Sequence, residues 1–373
     1  MAVPRIRIHI PKEWTAASKG RRMLPLATSL LGLNPAVGSS ASQRLAFDLG
    51  MDFTQSCSVS TDLYESDFLL YPYHWRNDDC QHVFSSGISQ ASVCSGLWPP
   101  VLLHGSTADI LSPSEVIIPF DVYTYLNPCL IKGCEPKNAM ASPFFIPDLV
   151  QGSWSPVGEM DTPSIGFCGI AAPLKTPFNF TKLTDMARLG ATYLSFLGIN
   201  SDRLLRRIRN NSKHAYRARL IRNLAREKSF NTSFILRDRG GLVSNAYYRM
   251  TDDSPYIIEY LDCINNNLYT ICTRGTENYS VRFYETLCLG RIPILVDSDI
   301  VLPFDGKINY RERCIFIEPA EISAAAEIIA EWHYSRTAKQ LEQIQASNRE
   351  LWLTHLSHAA FYPRLLEHYQ SMR

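Results

Sequence analysis

Residues 269–296 read YTICTRGTENYSVRFYETLCLGRIPILV: an apolar run, a polar loop with Arg-Gly, a short amphipathic segment, a glycine and a second apolar run. Residues 268–272 and 291–296 have the length and continuity of buried strands, and Pro293 stands near the start of the second, where a missing N–H is best tolerated. Between them Ser280 fits a helix N-cap, residues 281–289 the helix, and Gly290 its C-cap. The unit is strand, loop, helix, strand, with a right-handed crossover expected.

Towards the N-terminus short apolar runs recur as RIRIHI, SDFLLYPYHW, PPVLLHGS and SEVIIPFD, each ended by Pro, His, Gly or polar residues. Their spacing suggests a mostly parallel sheet with connecting helices, the α/β class, in which ligands bind beyond the strand ends. Loops 76–96 and 126–148 are rich in Ser, Cys and Pro and are expected to be irregular. Residues 151–164 have a linker's composition and mark a domain boundary. Beyond it come the short strands IGFCG and FILR, a helix over PYIIEYLDCINNN, and long helical patterns from Ala320 to Arg373. The domains are read as 1–155, 160–345 and, as closing helices, 346–373.

The chain has 373 residues, more than one ordinary core accommodates, and two domains is the simplest division. Apolar residues make up 46% and charged residues 20%, enough core to fold without staples. The net charge of +1 gives no overall field to draw in nucleic acid, so any charge argument is local. Ten cysteines form no Cys-x-x-Cys pair, and several sit inside apolar runs, which reads as reduced core cysteines in a cytoplasmic protein. The alternating N-terminus lacks the uninterrupted apolar core of a signal peptide, and no segment has the roughly 20 apolar residues of a membrane span.

The loop after residue 272 places Arg274, Gly275 and the Ser280 hydroxyl beside a helix N-terminus, where unpaired N–H groups and a partial positive charge favour an anion. Gly275 would let the backbone approach a phosphate. Arg282 and Glu285, three apart, share a helix face. A carboxylate near a diphosphate is repelled by it, so ribose hydroxyls suit Glu285 better. On spacing alone the pair also describes a surface ion pair worth about 0.2–0.5 kcal/mol.

Residues 272–304, CTRGTENYSVRFYETLCLGRIPILVDSDIVLPF, resemble the C-terminal signature of the exostosin-type glycosyltransferases. In that family an apolar strand is followed by Arg-Gly, Ser-x-Arg-Phe-x-Glu, Gly-x-Ile-Pro and Leu-Pro-Phe. The chain looks like a small, soluble, bacterial-type member. The resemblance implies a GT-B fold, with two Rossmann-like domains facing each other across a cleft and a C-terminal helix returning to the N-terminal domain. It further implies inverting transfer from a nucleotide-diphosphate sugar, a UDP-sugar by expectation, to a hydroxyl of a glycan or lipid-linked glycan. Arg274 and Arg282 would hold the diphosphate with Ser280 and Gly275, Glu285 would take the ribose, Arg237 is a further diphosphate candidate, and Gly169 would shape the loop between the domains. Cations and a helix dipole can stabilise the leaving diphosphate without a metal, so no metal and no cofactor are expected, nor an Asp-x-Asp motif of the metal-binding glycosyltransferase kind.

Single-displacement inversion needs a base on the acceptor hydroxyl. Candidates at N-terminal strand ends are Asp109, His104 and His74, in that order, and a cap or turn role is open for each. Residues 201–228 hold ten Lys or Arg against two acidic residues, a solvated helix face or a contact for anionic membrane lipid. The expected location is therefore cytoplasmic, with peripheral attachment to the inner membrane face open. Nucleic acid is not an expected partner, because no aromatic interleaving accompanies the charge. Rival readings are a fucosyltransferase-like enzyme using a GDP-sugar and a non-catalytic nucleotide-sugar-binding subunit.

Overall fold

The computed structural model describes residues 5–16, 23–32, 51–75, 100–105, 123–133, 135, 138–158, 161–171, 216–237, 255–275 and 278–371. The first sheet is built from β1 (Ile6–His9), β2 (Cys57–Val59), β3 (Phe68–Trp75), β4 (Val101–Gly105), β5 (Tyr123–Asn127) and β6 (Ala139–Ala141), in the order β2-β1-β3-β4-β5-β6. The second is built from β7 (Ser164–Ile170), β8 (Asn231–Arg237), β9 (Tyr269–Cys272), β10 (Ile292–Val296) and β11 (Ile315–Ile317), in the order β11-β10-β9-β7-β8. Every strand pairing within the two sheets is parallel. Both sheets grow in two directions from their first strand. Each therefore has a switch point, between β1 and β3 and between β7 and β9, where open α/β sheets leave a crevice beyond the strand carboxyl ends.

The helices are α1 (Lys12–Ala16), α2 (Pro25–Leu30), α3 (216–224), α4 (Pro255–Asn265), α5 (Val281–Cys288), α6 (Ala325–Tyr334), α7 (Ala338–Leu351) and α8 (Phe361–Gln370). The period-two alternation of the strands sorts their side chains onto two faces. In the second sheet Tyr269, Ile271, Ile292 and Ile294 pack with Leu220, Ile221 and Leu224 of α3, while Cys272 and Leu295 pack with Phe283, Tyr284 and Leu287 of α5. In the first sheet Phe68, Leu70 and Leu102 face Phe361, Tyr362 and Leu365 of α8, and Leu69, Tyr71 and Leu103 face Trp14. The C-terminal helix thus packs against the N-terminal sheet. With helices on both faces of a parallel sheet, twice over, this is the α/β layout expected of a GT-B protein.

Leu302-Pro303-Phe304 ties the two cores together. Leu302 is buried with the α5 layer, whereas Phe304 sits in the first sheet's core with its ring 5.4 Å from that of Phe361. The segment after β6 is equally well anchored despite its linker composition: Leu149 N–H donates to Cys288 Sγ at 3.3 Å, Asp148 pairs with Arg349, and Trp154 Nε1 donates to Leu289 O at 2.9 Å. Gly290 fits this packing, since its φ is +64° and a Cβ there would lie 2.6 Å from Trp154 Nε1.

Two expectations need correction. Residues 126–148 are not simply an irregular loop, because they contain β6, and Ile131 forms an antiparallel bridge to Ile300 beyond β10. The helix expected to run to residue 289 ends at Cys288, leaving Leu289 as its C-cap and Gly290 one position beyond. The run SEVIIPFD, loop 76–96 and residues 201–215 lie outside the described residues. The seven described cysteines are free and buried, as apolar neighbours on both sides suggested.

Candidate functional site

The crevice between β7 and β9 is lined by side chains from three elements. Arg282, in the first turn of α5, lies against both strands, with Nη2 donating to Cys168 O at 2.6 Å and its guanidinium carbon 4.5 Å from the Phe167 ring centroid. Its Nε donates to the Tyr260 hydroxyl at 3.2 Å, and that hydroxyl donates to Glu285 Oε2. Burial opposes the Arg282 charge, but the Tyr260 and Glu285 oxygens more than offset it, and its pKa is raised. Burial likewise pushes the Tyr260 phenol well above its usual range, so the phenol keeps its proton. Arg282 and Glu285 therefore do share a face, joined through Tyr260. Glu285 is only 1% exposed.

Gly169 makes the approach of Arg282 feasible. Its φ is +153°, and a Cβ would lie 3.1 Å from Arg282 Nη2. From the opposite side α3 contributes Arg217, which donates to Ile170 O at 2.7 Å, Thr273 Oγ1 at 2.8 Å and Arg274 O at 3.2 Å. Arg217 was not among the residues singled out in the sequence. A signal was present: Arg217, Leu220, Ile221 and Leu224 follow i, i+3, i+4, i+7 spacing, which places an arginine on the stripe that packs against the sheet.

Arg274 and Gly275 follow β9 directly, and the Gly275 N–H donates to Tyr279 O at 3.0 Å, closing the loop. Among the described residues a Cβ on Gly275 would meet nothing within 4 Å. Ser280 holds the N-cap backbone position with φ −126° and ψ 112°, but its hydroxyl makes no capping bond to α5. Arg237, at the end of β8, is paired with Glu259 and stacks over Tyr256, so its charge is already neutralised within the chain.

In the first sheet His74 and His104 are register partners at the ends of β3 and β4. His74 is exposed, with Nδ1 3.2 Å from Gly105 O. His104 lies 3.5 Å from the Tyr362 hydroxyl, and burial, with His74 nearby, brings its pKa down to about 3. Asp109 lies outside the described residues. One Asp-x-Asp does stand in the chain, Asp297-Ser298-Asp299 after β10. There Asp297 pairs with Lys132 at 3.5 Å and accepts from the Ile300 N–H, and Ser298 donates to Asn278 Oδ1 at 2.6 Å. Among the described residues no group of three or more His, Cys, Asp or Glu could hold a metal ion, and no helix is long and apolar enough to cross a membrane.

Fold and crevice define the class: a parallel α/β protein of two sheets whose second switch point is lined by guanidinium groups. The comparisons give a likeness to match: residues 169–332 are similar to the family model of the Exostosin GT47 domain. A probable glucuronosyltransferase of Oryza sativa subsp. japonica is 24% identical over 121 residues, 32% of this chain and 27% of the relative. Exostosin-1 of Drosophila melanogaster is 27% identical over 94 residues, 25% of this chain and 12% of the relative. Both matches span well under half of the relative's own length. Among solved structures, Anabaena Alr3699/HepE in complex with UDP-glucose aligns over 99% of this chain and 100% of its own at 10% identity and a TM-score of 0.37. The spinosyn rhamnosyltransferase SpnG aligns over 98% and 100% at 12% identity and a TM-score of 0.35. These structural likenesses are distant, and the fold stands on its own strand order.

Proposed function

We propose that the chain is a glycosyltransferase that moves a sugar, with inversion, from a nucleoside-diphosphate donor, UDP by preference, to a hydroxyl of a glycan or lipid-linked glycan. The observation that carries the proposal is the β7/β9 crevice at the start of the segment similar to the exostosin model, where arginines from separate elements converge on the strand ends beside the α5 N-terminus. Displacing a nucleoside diphosphate builds charge on the leaving oxygen. Fixed cations and unpaired N–H groups stabilise that charge without reorganising at the moment of reaction. In this reading Arg274 meets the diphosphate beside Gly275, with Ser280 offering its uncommitted capping position. Arg282 and Glu285 form the floor of the site, and Glu285 reaches a ribose hydroxyl once the Tyr260 hydroxyl gives way. No metal or cofactor is required in this scheme.

The base would come from the first sheet. His104, with its pKa near 3, is a weak proton acceptor. The exposed His74 beside it is open to an acceptor, and Asp109 is the further candidate. A transfer assay tests the whole reading: UDP-sugars and GDP-sugars are incubated with glycan acceptors in EDTA, nucleotide release is followed, and product anomeric configuration is read by NMR. UDP release with an inverted product supports it. Release from GDP-sugars alone favours the fucosyltransferase-like reading, and retained configuration or an absolute need for metal contradicts the mechanism.

A further inference from the structure

Among the described residues Arg217 bonds to no carboxylate and to no hydroxyl that bonds one, unlike Arg282 and Arg237. Its three bonds go to the Ile170 carbonyl, the Thr273 hydroxyl and the Arg274 carbonyl. Arg282 shares Tyr260 with Glu285, Arg237 has Glu259, and Arg349 has Asp148. Arg217 is partly buried, and burial together with the like charge of Arg282 lowers its pKa to about 10. Both guanidinium groups approach one ring, at 5.7 Å and 4.5 Å from the Phe167 centroid for Arg217 and Arg282. A guanidinium held there by neutral acceptors carries a desolvation cost that an anion in the crevice would offset.

The geometry of its bonds supplies the rest. Ile170 ends β7, whereas Thr273 and Arg274 leave β9, so one planar group sets the two sides of the switch point against each other. The carbonyl it holds belongs to Arg274 itself, one residue before Gly275. Packing gives no reason for an arginine here, since the other members of its stripe are the buried Leu220, Ile221 and Leu224. A fork with donors in three directions is what the site uses, and lysine cannot reproduce it.

We propose that Arg217 is a positioning residue of the donor site, holding the Thr273–Gly275 strand end in place for the donor's diphosphate. This rests on the nucleotide-sugar reading given above. The test is calorimetric titration of the full chain, in EDTA, with UDP and GDP and with uridine and guanosine, for wild type, Arg217→Gln and Arg217→Lys, alongside melting temperatures without ligand. Arg217→Gln is expected to weaken binding of the preferred diphosphate about 10- to 100-fold while leaving its nucleoside within a factor of about 2, and Arg217→Lys to recover only part of the loss.

A purely structural role predicts otherwise: a lower melting temperature with diphosphate affinity unchanged, or diphosphate and nucleoside weakened alike. Either result overturns the proposal. If Arg217→Gln does not fold, Arg217→Lys and Thr273→Val carry the test. Diphosphate-selective weakening in both supports the proposal, and wild-type diphosphate affinity in both overturns it. Wild type that binds no nucleoside diphosphate defeats the nucleotide-sugar reading and this proposal with it. Wild type that binds one, with Arg217→Gln binding it equally well, defeats this proposal alone.

Discussion

At the second sheet's switch point the strand ends are crossed by Arg217 and Arg282, whose bonds run to backbone carbonyls of β7 and β9 and of the loop beyond. Along the first sheet the corresponding strand ends carry His74 and His104, the first exposed and the second kept neutral by burial. The strand order around the two switch points is the same. The difference shows that topology supplies a crevice and leaves its chemistry to a few side chains. Two charged guanidinium groups against one sheet suit an anion that must be held, whereas the uncharged His104 against the other suits an uncharged hydroxyl.

The largest effect is expected from truncating the charged side. Arg282→Ala leaves Glu285 buried with Tyr260 and without its cation, and removing one partner of such a network costs about 3–5 kcal/mol. Urea denaturation should show that loss, while His74→Ala, at an exposed position, stays within about 0.5 kcal/mol. Equal costs would mean that the two strand ends do not differ as described. Next in size is Gly290→Ala, which must tolerate φ +64° and displace the Trp154 indole, with an expected cost of about 1–3 kcal/mol in the same experiment. A neutral outcome would show that residues 142–158 are less firmly held than their hydrogen bonds suggest.

The histidine side can be sharpened by pH. His104 has a folded-state pKa of about 3 against an ordinary value of 6.5, so between those limits the unfolded chain binds more protons than the folded one. Stability from this group is complete above pH 6.5 and is lost as pH falls towards 3, with a slope of at most about 1.4 kcal/mol per pH unit. Denaturation of wild type and His104→Gln at pH 7, 6 and 5 should therefore show a steeper acid loss for wild type. Parallel curves would remove the buried, neutral histidine from the account. The smallest effect is a control far from both crevices. Thr337 caps α7 in a reciprocal box with Gln340, and Thr337→Ala should cost about 1 kcal/mol without changing ligand binding.

Much of the second sheet was legible because its inner strands β7, β9 and β10 are largely buried and its punctuation is local. LYTIC, RIPILV and IGFCG correspond to β9, β10 and β7, and the Arg-Gly loop, the N-cap position of Ser280 and the helix between them follow from adjacent residues. The edge strand β6 was not legible, being three residues, Ala139–Ala141, with no apolar run to mark it. The partners of Arg282 and Glu285 were hidden for a different reason. Tyr260 lies 22 positions before Arg282, on another helix, and only tertiary packing brings the two together. Arg217 was hidden by its own neighbourhood, because a run of basic residues reads as a solvated face, and one member of that run turns inward to the sheet.

The most direct measurement is calorimetric titration of UDP, in EDTA, into wild type, Arg274→Ala and His74→Ala. Wild type is expected to bind UDP, Arg274→Ala to lose at least about tenfold in affinity, and His74→Ala to bind as wild type does. UDP binding that survives Arg274→Ala unchanged, or that is lost in His74→Ala instead, would place the nucleotide away from the second sheet's crevice and contradict the central claim.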